Sequence, residues 1–309
     1  MRDDVIGYLL KAPAAARECP DVAAWWPRHR ELAAIWRNPM DRAIAGGFAA
    51  DRVGWAFASG YQAALHALFP NAPEDRIAAL CVTEAEGNSP KAIKSTLRRV
   101  VDAWVLNGAK RWTTLGPDGG LFYVAARDAG IPGERAVIRV VQVASDSPGV
   151  TIQSMPPTRF VPEVPHAQLN FENVQLAADA LLPGDGYDDY VKRFRTVEDL
   201  HVNAAIFGYL VREARRLGWP AAWIERTAAL LHGLRAIAGE DNSAPAAHIA
   251  LAGALAQGTA LIEETEPFWS GAGEDAAVSR WRRDRELFAV AGSARVRRAA
   301  RAWERLRPA

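Results

Sequence analysis

The feature that most constrains the fold of this sequence is a local pattern that changes twice along the chain. From Ile77 to about Leu182, short β-branched or aromatic runs are separated by turn residues, which is typical of strands. On both sides of this stretch, apolar residues recur at helical spacing, as they do in Asp51–Leu68. This order predicts an α+β protein with N-terminal helices, a middle β-barrel or sheet domain and a C-terminal helical bundle.

The middle section contains six candidate strands. The dipeptide Asn107-Gly108 stands between two of them and predicts a hairpin turn, because both residues tolerate positive φ. Six short strands in about a hundred residues predict a small sheet or barrel. The candidate strands are Ala79–Val82, Ala103–Leu106, Lys110–Thr113, Leu121–Ala126, Ala136–Val143 and Gln168–Val174.

The positions of proline, glycine and polar residues that interrupt the regular patterns predict three domains. They are an N-terminal helical section over 1–76, a middle β-domain over 77–187 and a C-terminal helical domain over 188–309. Helical periodicity returns after Pro183 in four stretches separated by Gly, Pro or polar loops. These predicted helices are Tyr190–Leu217, Ala222–Ala238, Ala246–Thr265 and Asp275–Leu306.

Composition restricts the class of protein. The chain has 309 residues, of which 50% are hydrophobic and 24% charged, as in globular proteins with more than one packing layer. Its net charge of +1 gives no general attraction to nucleic acid, and no apolar run reaches the ~20 residues that span a membrane. Cys19 and Cys81 lack metal-ligand spacing, so we expect reduced, packed thiols. We therefore expect a cytoplasmic protein that binds neither nucleic acid nor membrane, and no metal site.

Four motifs follow one another in and after the middle section. They are Leu80–Ser89, which contains Thr83-Glu84-Ala85, then Trp104–Thr114, Ser147–Val150, and Leu169–Val174 followed by Leu181–Tyr187. The first resembles the Thr-Glu-Pro and Gly-Ser turn of the acyl-CoA dehydrogenase family, and the second resembles that family's Leu-Asn-Gly-x-Lys-x-Trp-Ile-Thr segment. The chain is thus similar to a shortened, divergent member of this family.

The resemblance implies FAD as cofactor and an acyl-CoA thioester as substrate. A carboxylate would remove the α-proton while the β-hydride moves to the flavin, forming an α,β double bond. Thr83 would contact the pyrimidine edge of the flavin, Trp112 its face and Thr114 the region of N5, with Leu80 and Val82 on the same strand. Two other interpretations stay open, since a strand tryptophan is often a core residue and threonine is a good strand former.

Ser89 is the candidate substrate-binding residue. It matches the serine of the family turn, where the resemblance implies contact with a phosphate or with the thioester chain. Ala85, Asn88 and Pro90 depart from the family pattern around it, so an ordinary connecting turn is an equal alternative.

Glu198 is the candidate catalytic base. One branch of the family takes its base from a Glu-Gly-Thr turn near the C-terminus, where this chain has Ala291, and a methyl group cannot accept a proton. Another branch places it in a Leu-Glu-Arg-Leu context, which Glu198 matches. The alternative is that Glu198 and Asp199 only add negative charge near a helix start. His201 would either tune Glu198 or be an ordinary helix residue.

Two family features are missing from the C-terminal part. Between Tyr209 and Arg283 there is neither an arginine followed by Phe-Gly nor a Gln-x-x-Gly-Gly segment, which in the family reach the FAD pyrophosphate and adenine. Three functions therefore stay open. They are an acyl-CoA dehydrogenase, a non-catalytic or heteromeric partner subunit, and a flavin-dependent monooxygenase. A homodimer or a heteromeric dehydrogenase complex is the expected assembly.

The last thirty residues are strongly basic. They contain ten arginines against three acidic residues. The periodicity predicts an amphipathic last helix with a solvated arginine face and with Leu287, Val290, Ala294 and Trp303 turned inward. Contact of the arginines with phosphate or CoA is the alternative.

Overall fold

A computed structural model describes residues 4–131, 136–289 and 292–307 of the chain. The chain divides into two compact units, which we call the sheet unit and the helical unit. The three-domain boundaries at 76 and 187 stay a prediction. The sheet unit comprises Leu68–Pro157 and Val164–Arg195, and the helical unit comprises Met1–Ala67, Thr158–Glu163 and Thr196–Ala309.

The sheet unit contains one seven-stranded mixed sheet, which confirms the predicted middle sheet domain. The strand order is β1-β4-β2-β3-β7-β6, and β5 also pairs with β4. The long β3 and β7 are antiparallel, whereas β4 runs parallel to β1 and β2. The strands are β1 Ala78–Cys81, β2 Thr96–Val100, β3 Ala103–Thr114, β4 Leu121–Asp128, β5 Ile138–Ala144, β6 Val150–Ser154 and β7 His166–Ala177.

The core of this unit is apolar and comes from alternate positions along the strands. Side chains on successive strand residues point to opposite faces, so alternate apolar residues gather on one side of the sheet. The buried cluster consists of Ala79, Cys81, Leu97, Leu106, Phe122, Val124, Ala126, Val141, Val143, Ala167, Leu169, Phe171, Val174 and Leu176.

The predicted hairpin at Asn107-Gly108 is wrong, because β3 continues through both residues. The register with β7 shifts between Leu106 and Gly108, and Gly108 has φ +137°. A Cβ on Gly108 would lie 2.3 Å from Ser95 Oγ, so glycine is needed for a β-bulge and close packing. Strands β2 and β6 were not among the candidate strands predicted from the sequence.

The true hairpin turn is Val101-Asp102, between β2 and β3. Val101 has φ +51°, a conformation that is costly for a β-branched residue, and its side chain is 84% exposed. We expect Val101→Gly to raise the free energy of unfolding by roughly 0.5–1 kcal/mol, since released strain exceeds the entropy that glycine loses. Urea unfolding measures this, with Val100→Gly in β2 as a destabilising control. A destabilised Val101→Gly variant would contradict the strain.

Nearly all of the α-helical residues belong to the helical unit, whereas short 3-10 and π-helical turns also occur in the sheet unit. Several helices begin at side-chain caps, such as Asp21 at α2 and Asn38 before Pro39 at α3. The predicted helix Asp275–Leu306 is not continuous, because a 3-10 turn over Arg285–Ala289 follows α9. The helices are α1 Val5–Lys11, α2 Val22–Ile35, α3 Pro39–Ala49, α4 Val53–Leu68, α5 Arg193–Leu217, α6 Ala221–Ala238, α7 Pro245–Glu263, α8 Glu266–Gly271, α9 Ala276–Asp284 and α10 Gly292–Leu306.

Glycines let helices α3 and α4 approach α5 closely. A Cβ at Gly47 would lie 1.7 Å from the carbonyl oxygen of Ala205, and a Cβ at Gly60 would lie 2.7 Å from the Cα of Val202. Any larger residue would push the helices apart. The start of α5, which carries Glu198, is thereby packed against α3 and α4.

One helical stretch of the described chain, Pro245–Gly271, is long and apolar enough by composition to cross a membrane. Within its most apolar window, 22% of the residues are buried. Helices of water-soluble proteins also pass this test, so the stretch is weak evidence for a membrane.

The last helix, α10, has the reverse of the predicted orientation. Trp303 was predicted to face inward, but its side chain is 57% exposed. The predicted inward position of Ala294 is also wrong, since it is exposed, and Val290 lies outside the described residues. Arg295 and Arg298 reach inward to the buried Asp199 instead.

Candidate functional site

The centre of the sheet unit's candidate site is a buried ion pair between Glu84 and Lys110. The Lys110 Nζ donates to Glu84 Oε1 at 2.6 Å and to the Val82 carbonyl at 3.2 Å. The Lys110 side chain is completely buried, and that of Glu84 is 9% exposed. The backbone N–H groups of Lys94 and Ser95 also donate to Glu84, at 2.7 and 3.0 Å. The pair therefore joins the loop after β1 to the middle of β3.

The pKa values of Glu84 and Lys110 are shifted by burial and by the charge of the other member of the pair. Burial by itself raises the pKa of Glu84, but the charge and hydrogen bond of Lys110, together with the two backbone N–H donors, hold it below its ordinary value. Burial lowers the pKa of Lys110 even though Glu84 opposes the shift. Each charge of the pair compensates the other in a dry environment.

Next to this pair, β3 bulges at Arg111 and Trp112. The register with β7 shifts between Lys110 and Thr113, and the Arg111 N–H donates to the Thr83 carbonyl at 2.9 Å. Trp112 has φ +60° and is 47% exposed, with the Arg111 guanidinium 5.5 Å from its ring centroid. The ring of His166 meets it edge-on at 6.3 Å. A large indole is thus presented at the surface of the sheet rather than in its core.

The backbone around Trp112 is strained. Leu115, three residues later, also has a positive φ, of +56°, although it is fully buried. A non-glycine residue in this region costs about 1–3 kcal/mol, and such residues concentrate at functional sites. The strain and the exposed indole together mark this bulge as a site rather than a packing detail.

The predicted flavin-contact residues lie on β1, on β3 and in the loop after β1. Apart from Trp112, all four are half-buried, namely Leu80, Val82, Thr83 and Thr114. The Thr83 carbonyl accepts a hydrogen bond from the Arg111 N–H in the bulge that carries Trp112. Among the described residues, the hydroxyls of Thr83 and Thr114 make no hydrogen bond. An exposed aromatic face in the same part of the sheet unit as two threonines fits a planar, polar-edged ring such as isoalloxazine. The residues present therefore fit the flavin that the sequence motifs imply.

Ser89 lies farther along the loop after β1. A tight turn precedes it, in which Glu84 and Gly87 exchange two backbone hydrogen bonds and Gly87 has φ +117°. The Ser89 side chain is exposed, and its carbonyl accepts the N–H groups of Ala92 and Ile93. Its role in substrate binding stays a prediction.

Glu198 belongs to the helical unit, where it is half-buried near the start of α5. The next residue, Asp199, is buried and holds two arginines of α10. Arg295 reaches Asp199 Oδ1 at 2.7 Å, and Arg298 reaches Asp199 Oδ2 at 2.8 Å. These two contacts fix the first turns of α5, including the backbone of Glu198, against the last helix. Ala291, at the other base position, lies outside the described residues.

His201 does not need Glu198 as a partner. Its Nδ1 lies 2.7 Å from the Val197 carbonyl, which assigns the proton to Nδ1, and the side chain is 3% exposed. Burial lowers the pKa of His201 to about 4. The ordinary helix role that the sequence analysis left open accounts for these contacts.

This buried histidine predicts a pH dependence of stability. Its pKa is 6.5 in the unfolded chain and about 4 in the folded one, so the unfolded state binds more protons between these values. The free energy of unfolding therefore falls with decreasing pH below 6.5, by up to about 1.4 kcal/mol per pH unit from this group. His201→Gln keeps a donor for Val197 and removes the titration, so denaturation profiles of variant and wild type should converge toward acid pH. Parallel profiles would contradict the prediction.

Several functional contacts were not visible in the sequence. Lys110 was noted only as part of a motif, and its pairing with Glu84 depends on how the loop after β1 folds back. The clamp of Arg295 and Arg298 on Asp199 joins residues about a hundred positions apart. His166 has no sequence signal, but its place opposite Thr114 follows once the pairing of β3 and β7 is known.

Comparisons with known proteins relate this chain to the acyl-CoA dehydrogenases. A sequence model described as the middle domain of acyl-CoA dehydrogenase matches residues 79–174. The 3-sulfinopropanoyl-CoA desulfinase of Paraburkholderia xenovorans is 26% identical over 246 residues, which are 69% of this chain and 63% of the relative. The benzylmalonyl-CoA dehydrogenase of Aromatoleum aromaticum is 37% identical over 79 residues, 25% of this chain and 20% of the relative. The matched segments thus span less than two thirds of either relative.

Solved structures show the same fold. The butyryl-CoA dehydrogenase of Megasphaera elsdenii superposes with a TM-score of 0.73, covering 92% of this chain and 90% of the other. The sequence identity is 14%, so this likeness concerns the fold alone.

Proposed function

The chain belongs to the acyl-CoA dehydrogenase family, and from this premise we propose that it is an FAD-dependent oxidoreductase that forms an α,β double bond in an acyl-CoA thioester. The observation that carries the proposal is the strained, exposed Trp112 in a bulge whose Arg111 N–H donates to the Thr83 carbonyl, with Thr114 two residues farther along β3. A structural tryptophan would be expected in the core, without backbone strain.

The substrate class is supported by the two curated relatives. Their names describe different reactions, a desulfination and a dehydrogenation, but both name a CoA thioester. A thioester acidifies the neighbouring C–H bond, which is the bond that a base-assisted dehydrogenation must break. We therefore propose a CoA thioester as the substrate class, without assigning a particular acyl chain.

The sheet unit would bind and orient the cofactor. Trp112 offers its face to the ring, while Thr83 and Thr114 donate hydrogen bonds at the ring edge. Leu80 and Val82 provide half-buried apolar surface that excludes water. The Glu84–Lys110 pair would keep the loop after β1 next to the part of β3 that carries the bulge. When bound, the flavin accepts the β-hydride from the substrate.

The helical unit would supply the base. Glu198 accepts the α-proton of the thioester on its carboxylate and later releases it to solvent. Asp199 positions the helical turn of Glu198 through Arg295 and Arg298, whose two positive charges exceed the single charge of Asp199.

The proposal is tested by mixing FAD-loaded protein with short-chain acyl-CoA without oxygen. Bleaching of the flavin absorbance at a rate that saturates with acyl-CoA is expected. A protein that holds FAD but is not bleached by straight, branched or aromatic acyl-CoA compounds would contradict the dehydrogenase reaction.

A second candidate is a partner subunit of a heteromeric dehydrogenase. It is favoured by the missing pyrophosphate and adenine motifs between Tyr209 and Arg283 and by Ala291 at the other base position. In that case the isolated chain would not retain FAD, and added acyl-CoA would cause no spectral change.

A further inference from the structure

Arg111 is a charged residue of the candidate site that the proposed chemistry does not use. It lies in the bulge of β3 between Lys110 and Trp112, and it is half-buried. Its guanidinium carbon lies 5.5 Å from the centroid of the Trp112 ring. The indole that is proposed to contact the flavin therefore has a positive charge as its immediate neighbour.

The described part of the chain does not compensate this charge. Arg111 Nε is buried without a hydrogen-bond partner, and Arg111 takes part in none of the ion pairs among the described residues. Glu84, which follows Thr83 in the loop after β1, is already occupied by Lys110 and by two backbone N–H groups. A buried donor on a charged group is costly without an acceptor, so this arrangement favours an acceptor that a ligand supplies.

The backbone holds Arg111 in place. Its N–H donates to the Thr83 carbonyl at 2.9 Å, and the register with β7 shifts between Lys110 and Thr113. Because Nε is buried, the stem of the side chain is packed rather than free in solvent. A guanidinium held in this way loses little conformational freedom when it binds a ligand. Arg111 is thus preorganised for an anionic group.

We infer that Arg111 binds a phosphate group of the ligand at the Trp112 bulge. The inference rests on the proposed function, which brings two phosphate-bearing compounds, FAD and acyl-CoA, to the protein. In FAD and in a simple acyl-CoA, the anionic groups are phosphates. The planar guanidinium presents parallel N–H donors that match phosphate oxygens in a bidentate geometry.

The flavin phosphate is the first source of this group. The sequence between Tyr209 and Arg283 lacks the arginine motif that the family resemblance implies for the FAD pyrophosphate. Arg111 is a guanidinium on the same strand as Trp112 and Thr114, which are the proposed ring contacts. The CoA phosphates are the second source, and the experiment below separates the two.

The competing explanation is that Arg111 only packs on the Trp112 ring as a cation–π contact. Such a contact depends on the charge and does not require an acceptor for the N–H donors. An arginine with this structural role would stabilise the bulge, whereas an arginine kept for a ligand would contribute to affinity and not to folding. Measurements of stability and of ligand affinity therefore distinguish the two roles.

Titration of flavins into the flavin-free chain tests the flavin phosphate. Riboflavin, FMN and FAD share the ring, and riboflavin alone has no phosphate. The wild type should bind FMN and FAD about 10-fold to 100-fold more tightly than riboflavin, as expected for hydrogen bonds to a charged group. Arg111→Met should remove this preference while retaining riboflavin affinity and the wild-type free energy of unfolding. Arg111→Lys keeps the charge without the planar fork and should keep part of the preference.

A second titration tests the CoA phosphates. A short-chain acyl-CoA is compared with the matching acyl-pantetheine, which has the same thioester but no phosphate. If Arg111 binds CoA, the wild type should prefer acyl-CoA by a similar factor. Arg111→Met should then remove that preference and leave the affinities for FMN and riboflavin unchanged.

Arg99→Met is the matched control. Arg99 is exposed on β2 opposite Trp104, which precedes Arg111 by seven residues along β3, so it lies roughly 20 Å away. This control should leave every affinity unchanged. The inference is overturned if Arg111→Met alters neither phosphate preference, or if it weakens riboflavin binding as much as FMN binding. A wild type that shows the CoA preference but binds no flavin would contradict the proposed function and leave Arg111 as a phosphate-binding residue.

Discussion

Glu198→Gln is expected to slow the reduction of bound flavin by acyl-CoA about 10²–10⁴-fold, the usual contribution of a positioned general base. Glutamine has nearly the same shape as glutamate but cannot accept the α-proton. Because the change acts on the chemical step, binding of FAD and of acyl-CoA should be retained. Anaerobic stopped-flow absorbance separates acyl-CoA binding from flavin reduction. Binding sets how the observed rate depends on acyl-CoA concentration, and the chemical step sets the rate at saturating acyl-CoA.

The matched control is Glu225→Gln on α6, where the glutamate is exposed. It should leave the limiting rate unchanged. If Glu198→Gln reduces flavin as fast as the wild type, Glu198 is not the base. The proton must then go to another group, even if the dehydrogenase reaction itself is correct.

Lys110→Met is expected to lower the free energy of unfolding by roughly 3–5 kcal/mol. Methionine retains most of the apolar stem, so little packing is lost, but the Glu84 carboxylate loses its counter-charge where it is 9% exposed. The loop after β1 and the Trp112 bulge should loosen with it, and FAD affinity should fall. Urea denaturation measures the stability, and FAD titration measures the second effect.

Two variants sharpen this result. Lys94→Met removes the exposed pair with Glu86, in which both side chains are more than half exposed, and should change stability by about 0.5 kcal/mol or less. The double variant Glu84→Gln/Lys110→Met removes both charges and should recover part of the loss. A Lys110→Met variant as stable as Lys94→Met would show that the buried pair does not hold this site together.

The sequence allowed the sheet domain to be predicted because its signals are local. The apolar and aromatic residues of Leu121–Ala126, and the alternation of Leu169 and Phe171 with polar residues in Gln168–Val174, favour strands through local sequence alone. The Asn107-Gly108 signal is equally local, yet it misled, because the same positive φ that allows a turn also allows a β-bulge inside a long strand. Only the pairing of β3 with β7, which is a tertiary property, distinguishes the two.

The candidate site was predicted in part. Thr83, Trp112 and Thr114 were identified from motifs, and the fold brings Thr83 to the bulge of Trp112. The strain at Trp112 and Leu115 was not visible, because no residue type signals it. The orientation of Trp303 was predicted wrongly, since periodicity finds an apolar stripe but does not say which face is buried. The Asp199 contacts of Arg295 and Arg298 decide that orientation.

The surface of the sheet unit around Trp112 is the proposed flavin-binding site. The most direct measurement is titration of FAD into the flavin-free chain, followed by visible absorbance, for wild type and for Trp112→Ala. We predict saturable, stoichiometric binding by the wild type, with a perturbed flavin spectrum, and a large loss of affinity in Trp112→Ala. A wild type that binds no FAD, or a Trp112→Ala variant that binds it equally well, would contradict the claim.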